Sequence, residues 1–204
     1  VDGSDALQRR LHLARQQHRR AKPPDDILRR LGPPDAGERQ VETDILGNRA
    51  FAAQQCQQRR DRTALIDLMH GLSEKMPYTP GITSVESTAA EAFAGGAGVC
   101  QDHTHAFLAC ARSLGVPARY VSGYLYSDDS EHLASHAWAE AWVDGLWYCF
   151  DITNGMSRPQ RHLKLAIGLD YLDACPVRGM RRGGGSEQMH ARVYVSPHAL
   201  QTQQ

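Results

Sequence analysis

The feature that most constrains this chain is the dipeptide Asp144-Gly145, set between "SHAWAEAWV" (135–143) and "LWYCFDI" (146–152). An Asp-Gly pair tolerates the positive φ angles of a two-residue hairpin turn, and the flanking runs alternate as strands do. If the loop has two residues, Val143 pairs with Leu146, and opposed residue numbers sum to about 289 by the pairing rule. His136 then lies opposite Thr153 and Asp151 opposite Trp138, which makes His136 and Asp151 diagonal neighbours on one face. A loop one residue longer or shorter would send them to opposite faces. Trp138, Trp142, Trp147 and Cys149 fall on that same face.

A second constraint lies upstream, in "GVCQDHTHAFLACARSLGVPARY" (98–120). Thr104, Phe107, Leu108, Ala111 and Leu114 recur at helical spacing, so a helix is predicted from about Cys100 to Leu114. Gly115 suits its C-terminal cap and Pro117 prevents continuation. Cys100 follows Gly95, Gly96 and Gly98 and stands at the helix start, unlike Cys110 within the apolar stripe. The first helical turn has unpaired N–H groups and the positive end of the dipole, which favour an anion. A thiolate nucleophile on a helix start, an imidazole base on a strand and a carboxylate orienting that base make a catalytic triad. Cys100, His136 and Asp151 fit those roles in that order.

The rest of the pattern supports one core. Leu65, Leu68, Met69, Leu72 and Met76 follow helical spacing up to Pro77. "STAAEAF" offers Thr88 and Glu91 as a capping box for a short helix closed by Gly95-Gly96. "ARYVSGYLY" (118–126) reads as a strand, "SDDSEH" and "GMRRGGGSE" as loops, and "ARVYV" as a last strand. Residues 1–62 form a polar leading segment rich in Arg and Gln, broken by Pro23-Pro24 and Pro33-Pro34.

Composition narrows the partners. Twenty-three basic residues balance 23 acidic ones in 204 residues, so no broad field draws nucleic acid or an anionic membrane. No stretch has the 18 or so consecutive apolar residues of a membrane span. Five scattered cysteines without a CxxC pair make a poor disulfide framework and point to reduced thiols in a cytoplasm. Cys100, Asp102, His103 and His105 have the chemistry of zinc ligands, but 100, 103 and 105 do not share a helix face. No metal or other cofactor is expected.

"GVCQD", "LGVPARYVSGY", "SHAWAEAWV" and "FDITNG", in this order and spacing, resemble the transglutaminase-like superfamily, and within it the bacterial transglutaminase-like cysteine peptidases. The likeness runs from about Leu65 to Val195 and includes "RHLKLAIGLDYLDACPVRG". It implies an α+β, papain-like fold in which a nucleophile-bearing helix packs on an antiparallel sheet. It also implies a catalytic domain over 63–204, preceded by a remnant of a β-rich domain that "VETDILGNRAF" resembles. The residues it implies are Cys100 as nucleophile, His136 as base and Asp151 as orienting carboxylate. The activity it implies is hydrolysis of an amide or peptide bond through a thioester, on a peptide or protein substrate. Protein crosslinking by an amine acceptor, or peptide binding without catalysis, are the alternatives. Two departures stand out: Ile152 where the family commonly has proline, and His103-Thr104 where many relatives have an aromatic and an alanine.

Overall fold

The computed structural model describes residues 60–84, 87–126, 135–175 and Val193. The leading segment through residue 59, the "SDDSEH" loop, the "GMRRGGGSE" loop and most of the predicted "ARVYV" strand lie outside the described residues.

Helix α1 (Arg62–Lys75) begins where Asp61 accepts the Ala64 N–H at 2.9 Å and ends just before Pro77. Its Leu65, Leu68, Met69 and Leu72 are fully buried, as the spacing predicts. Helix α2 (Ala89–Gly95) carries the expected capping box: Thr88 Oγ1 accepts from Glu91 N at 3.2 Å, and Thr88 N donates to Glu91 Oε2 at 2.8 Å. Gly96 closes it with φ 68°. Helix α3 (Cys100–Ser113) buries Thr104, Phe107, Leu108 and Ala111, with Gly115 at φ 74° just beyond.

The strands β1 (Ala118–Leu125), β2 (Ser135–Val143), β3 (Leu146–Phe150) and β4 (His162–Gly168) form one antiparallel sheet in the order β3-β2-β1-β4. Asp144 (φ 49°) and Gly145 (φ 80°) both take positive φ, the signature of the two-residue turn. The register is the expected one, from Val143↔Leu146 to Ala139↔Phe150. β4 was not evident from local pattern; it joins the far edge of β1 with a shift of register between Ser122 and Gly123.

One sheet face, with Ala137, Ala139, Ala141, Val143, Ala118, Tyr120 and Phe150, forms the main core against the helices. Small alanines on β2 let α3 approach closely, and Phe107 stacks on Phe150 with ring centroids 5.0 Å apart. The opposite face has a second core of Val121, Trp138 and Cys149. On this face Glu140, only 2% exposed, is gripped by Arg119 (Nε 2.8 Å, Nη2 2.7 Å) and by Lys164. No helix among the described residues is long and apolar enough to cross a membrane.

Candidate active site

Cys100 is the first residue of α3, delivered by a glycine-lined approach. The segment after α1 runs beside this approach: Thr79 N donates to Gly98 O at 2.9 Å, and Tyr78 and Gly98 form a parallel bridge. Gly98 must lack a side chain, because a Cβ there would stand 2.9 Å from Asp102 Cβ. Asp102 Oδ2 accepts from Val99 N at 2.9 Å and Thr83 Oγ1 at 2.7 Å, so this carboxylate caps its own helix. The N-cap residue, Val99, makes no side-chain capping bond, which leaves the first-turn N–H groups around Cys100 without a competing acceptor of that kind. Thr104 Oγ1 donates to the Cys100 carbonyl at 2.7 Å and braces the turn.

β2 and the hairpin carry the other two residues. His136 lies near the start of β2, and Asp151 directly follows β3 and is fully buried. His136 Nε2–H donates to Asp151 Oδ2 at 2.8 Å, the diagonal contact the register predicts. The half-buried Cys100 thiol is a hydrogen-bond partner of the same imidazole. With Nε2 committed to Asp151, Nδ1 is the nitrogen left for the thiol. The structure therefore brings all three predicted residues together.

The electrostatics follow from this geometry. Burial alone would lower the His136 pKa, but hydrogen bonds to Asp151 and Cys100, and their charges, raise it to about 9. Burial would raise the Asp151 carboxyl, yet hydrogen bonds from His136, His162 and Asn154 hold it well below the usual carboxylate range. Burial and nearby negative charge push the Cys149 thiol up out of the reactive range. It is a packing residue on the same face.

His162 is the member that sequence reasoning missed. From the first position of β4 its Nε2 reaches the same Asp151 Oδ2 at 3.0 Å, and its side chain is 1% exposed. Asn154 Nδ2 donates to that oxygen too, at 2.8 Å, while Asn154 N donates to Oδ1 at 3.2 Å. Trp138 packs beside both imidazoles, 6.1 Å from the His136 centroid and 4.8 Å, edge-on, from that of His162. The signal for His162 was faint: one histidine in "RHLKLAIG", with no turn motif to set its register.

Two sets of residues have metal-ligating chemistry. Cys100, Asp102, His103 and His105 do not converge: Asp102 caps α3, and His103 Nε2–H donates to Met76 O at 2.7 Å while Nδ1 accepts from Thr153 Oγ1 at 2.9 Å. His105 packs on the Tyr120 ring at 5.0 Å. Burial lowers the pKa of both histidines, so they favour the neutral form. His136, Asp151 and His162 do converge, with ligand atoms within 4.8 Å of one another. Buried His162 Nδ1, however, has no hydrogen-bond partner among the described residues. A cation on Nε2 would move the hydrogen to that orphaned nitrogen, so the residues fit a carboxylate shared by two imidazoles better than a metal centre.

Residues 49–152, just over half the chain, match the family model described as the transglutaminase-like superfamily. An uncharacterized protein of Mycobacterium leprae is 34% identical over 141 residues, covering 66% of this chain and 50% of that protein. An uncharacterized protein of Mycobacterium tuberculosis is 34% identical over 128 residues, covering 57% and 41%. The chain thus spans about half the length of the curated relatives it matches. The crystal structure of a candidate cysteine protease from Cytophaga hutchinsonii superimposes with a TM-score of 0.59 at 24% identity, covering 78% of this chain and 54% of that one. The fold is therefore the α+β, papain-like transglutaminase core.

Proposed function

The chain belongs to the transglutaminase-like superfamily, which includes cysteine peptidases and transglutaminases, and from that premise we propose that it is a thiol-dependent amide or peptide hydrolase. The observation that carries the reading is one imidazole, His136, hydrogen-bonded on one side to the Cys100 thiol and on the other to the buried Asp151. No structural role asks for a cysteine at a helix start, a nearly buried histidine and a fully buried carboxylate in that sequence of contacts.

The steps follow from the contacts. Cys100 Sγ, as thiolate, attacks the amide carbon and the carbonyl π electrons move to oxygen. N–H groups of the first α3 turn are in place to receive that oxyanion. As the tetrahedral adduct collapses, the C–N bond breaks and His136 Nδ1 gives its proton to the departing nitrogen, leaving a thioester and a free amine. Water then attacks the thioester carbon, losing a proton to His136, and the C–S bond breaks to release a carboxylic acid and regenerate Cys100. Asp151 keeps Nε2 protonated throughout and supports the imidazolium. We place a peptide or protein amide in the cleft. The family's protein and peptide substrates and the cysteine-protease description of the Cytophaga neighbour support that choice.

The test is iodoacetamide alkylation followed cysteine by cysteine by mass spectrometry, with amide hydrolysis measured on a peptide library. Fast labelling of Cys100 well below pH 8, lost in His136→Ala, together with hydrolysis lost in Cys100→Ala, supports the reading. Slow labelling that ignores His136 defeats it. Products carrying an added primary amine in place of hydrolysis would make the enzyme a transferase.

A further inference from the structure

Asp151 is held by two imidazoles, and only one of them faces the nucleophile. The second comes from the other edge of the sheet. His162 stands at the start of β4, separated from β3 by two intervening strands in the sheet order, yet its Nε2 lies 3.0 Å from the oxygen that His136 engages. The sheet must curl to allow this, and Gly123 is where it does so. It is paired with His136 on one side and Lys164 on the other, at the register shift. A Cβ at this position would lie 2.0 Å from the Leu163 carbonyl oxygen and 2.8 Å from the Trp138 ring. The bare glycine lets β4 and Trp138 close over β1 and carry His162 to Asp151.

We propose that His162 is a positioning residue of the site, its Nε2–H fixing the Asp151 carboxylate so that Oδ2 faces His136. The proposal rests on the reading of Cys100, His136 and Asp151 given above. The tautomer follows from the surroundings. Nε2 faces a carboxylate oxygen, which only accepts, so it carries the hydrogen. Nδ1 is buried with no partner among the described residues. A bare acceptor there is tolerable, whereas an orphaned N–H donor would carry a larger penalty.

The other anchors are weaker substitutes. Asn154 is exposed, so water competes for its amide, while its backbone N–H reaches Oδ1 at the longer distance of 3.2 Å. His162, at 1% side-chain exposure, is shielded from that competition. Its contacts are with Asp151, His136 and Trp138. Its effect passes through Asp151 to His136.

The experiment uses the full chain with His162→Gln, which keeps a donor near the Nε2 position, and His162→Leu, which does not. Long-range ¹H–¹⁵N correlation spectra of the wild type report the tautomer, and the pH profile of Cys100 alkylation reports the site. The expected wild-type result is a hydrogen on His162 Nε2 and none on Nδ1. His162→Leu should move the acid limb of alkylation up by about one pH unit, because an Asp151 carboxylate free to turn holds the His136 imidazolium less well. At pH about 6 its rate should fall roughly tenfold, with His162→Gln restoring most of it.

A folded His162→Leu protein with an unmoved acid limb and unmoved His136 titration overturns the proposal. So does a wild-type His162 protonated on Nδ1. If His162→Leu does not fold, the tautomer and the Gln variant decide alone. Slow Cys100 labelling in the wild type would defeat the hydrolase reading, while the His162 tautomer and the His136 midpoint would still judge this proposal.

Discussion

Asp151→Asn removes one charge and little volume, which makes it a demanding test of the site. His136 is raised to about 9, and an ordinary histidine titrates near 6.5. The difference corresponds to about 3 kcal/mol of preference for the charged ring. Among the raising causes the Asp151 hydrogen bond ranks first, while burial, the largest single influence, acts downward. With a neutral amide at 151, burial meets only the contribution of Cys100, and the midpoint should return to the ordinary range. At pH about 7.5 the charged fraction would then fall from roughly 97% to roughly 9%. Cys100 alkylation at that pH should slow about tenfold, as the imidazolium that pairs with the thiolate becomes scarce. The assay is paired: the His136 ring proton followed by NMR across pH, and iodoacetamide labelling at Cys100, with circular dichroism confirming the fold. A His136 midpoint still near 9 in folded Asp151→Asn would refute the reasoning, because some other group would then be holding the charge.

Stability should follow pH through the same carboxylate. The Asp151 pKa is depressed in the folded chain, so the unfolded chain binds more protons near the ordinary carboxylate range. Its stabilisation is present above pH about 4 and is lost as pH falls through that value toward the folded pKa. Acid unfolding followed by fluorescence should accordingly flatten in Asp151→Asn. Leu68→Ala, at a fully buried position of α1, should lower stability by about 3 kcal/mol and the melting temperature by about 10 °C, read by calorimetry. Glu140→Leu should cost about 3 kcal/mol by denaturant titration, because Arg119 and Lys164 would lose a shared buried counter-charge. The lower end of the usual range applies because the Lys164 side chain is 27% exposed. Gly123→Ala should be more damaging than any surface change, since its Cβ would press on backbone, and its melting curve should show β4 released or the fold lost.

The division between what was legible early and what was not follows the range of the forces involved. A two-residue Asp-Gly turn fixes register locally, and the period-2 strand then puts His136 and Asp151 on one face without reference to the rest of the chain. Cys100 at a helix start was legible for the same reason, because glycines, capping residues and the apolar stripe act within a few turns. His162, the shared Oδ2, the Glu140 network and the clamp of His103 between Met76 and Thr153 were not. Each joins residues 11 to 50 apart in sequence, along paths with no turn motif to set their alignment. Tertiary structure decided them, through the curl of the sheet at Gly123 and the need of each buried polar group for a partner. Local chemistry can place a residue on a face. Only the closed packing of both faces determines which two imidazoles meet at one carboxylate oxygen.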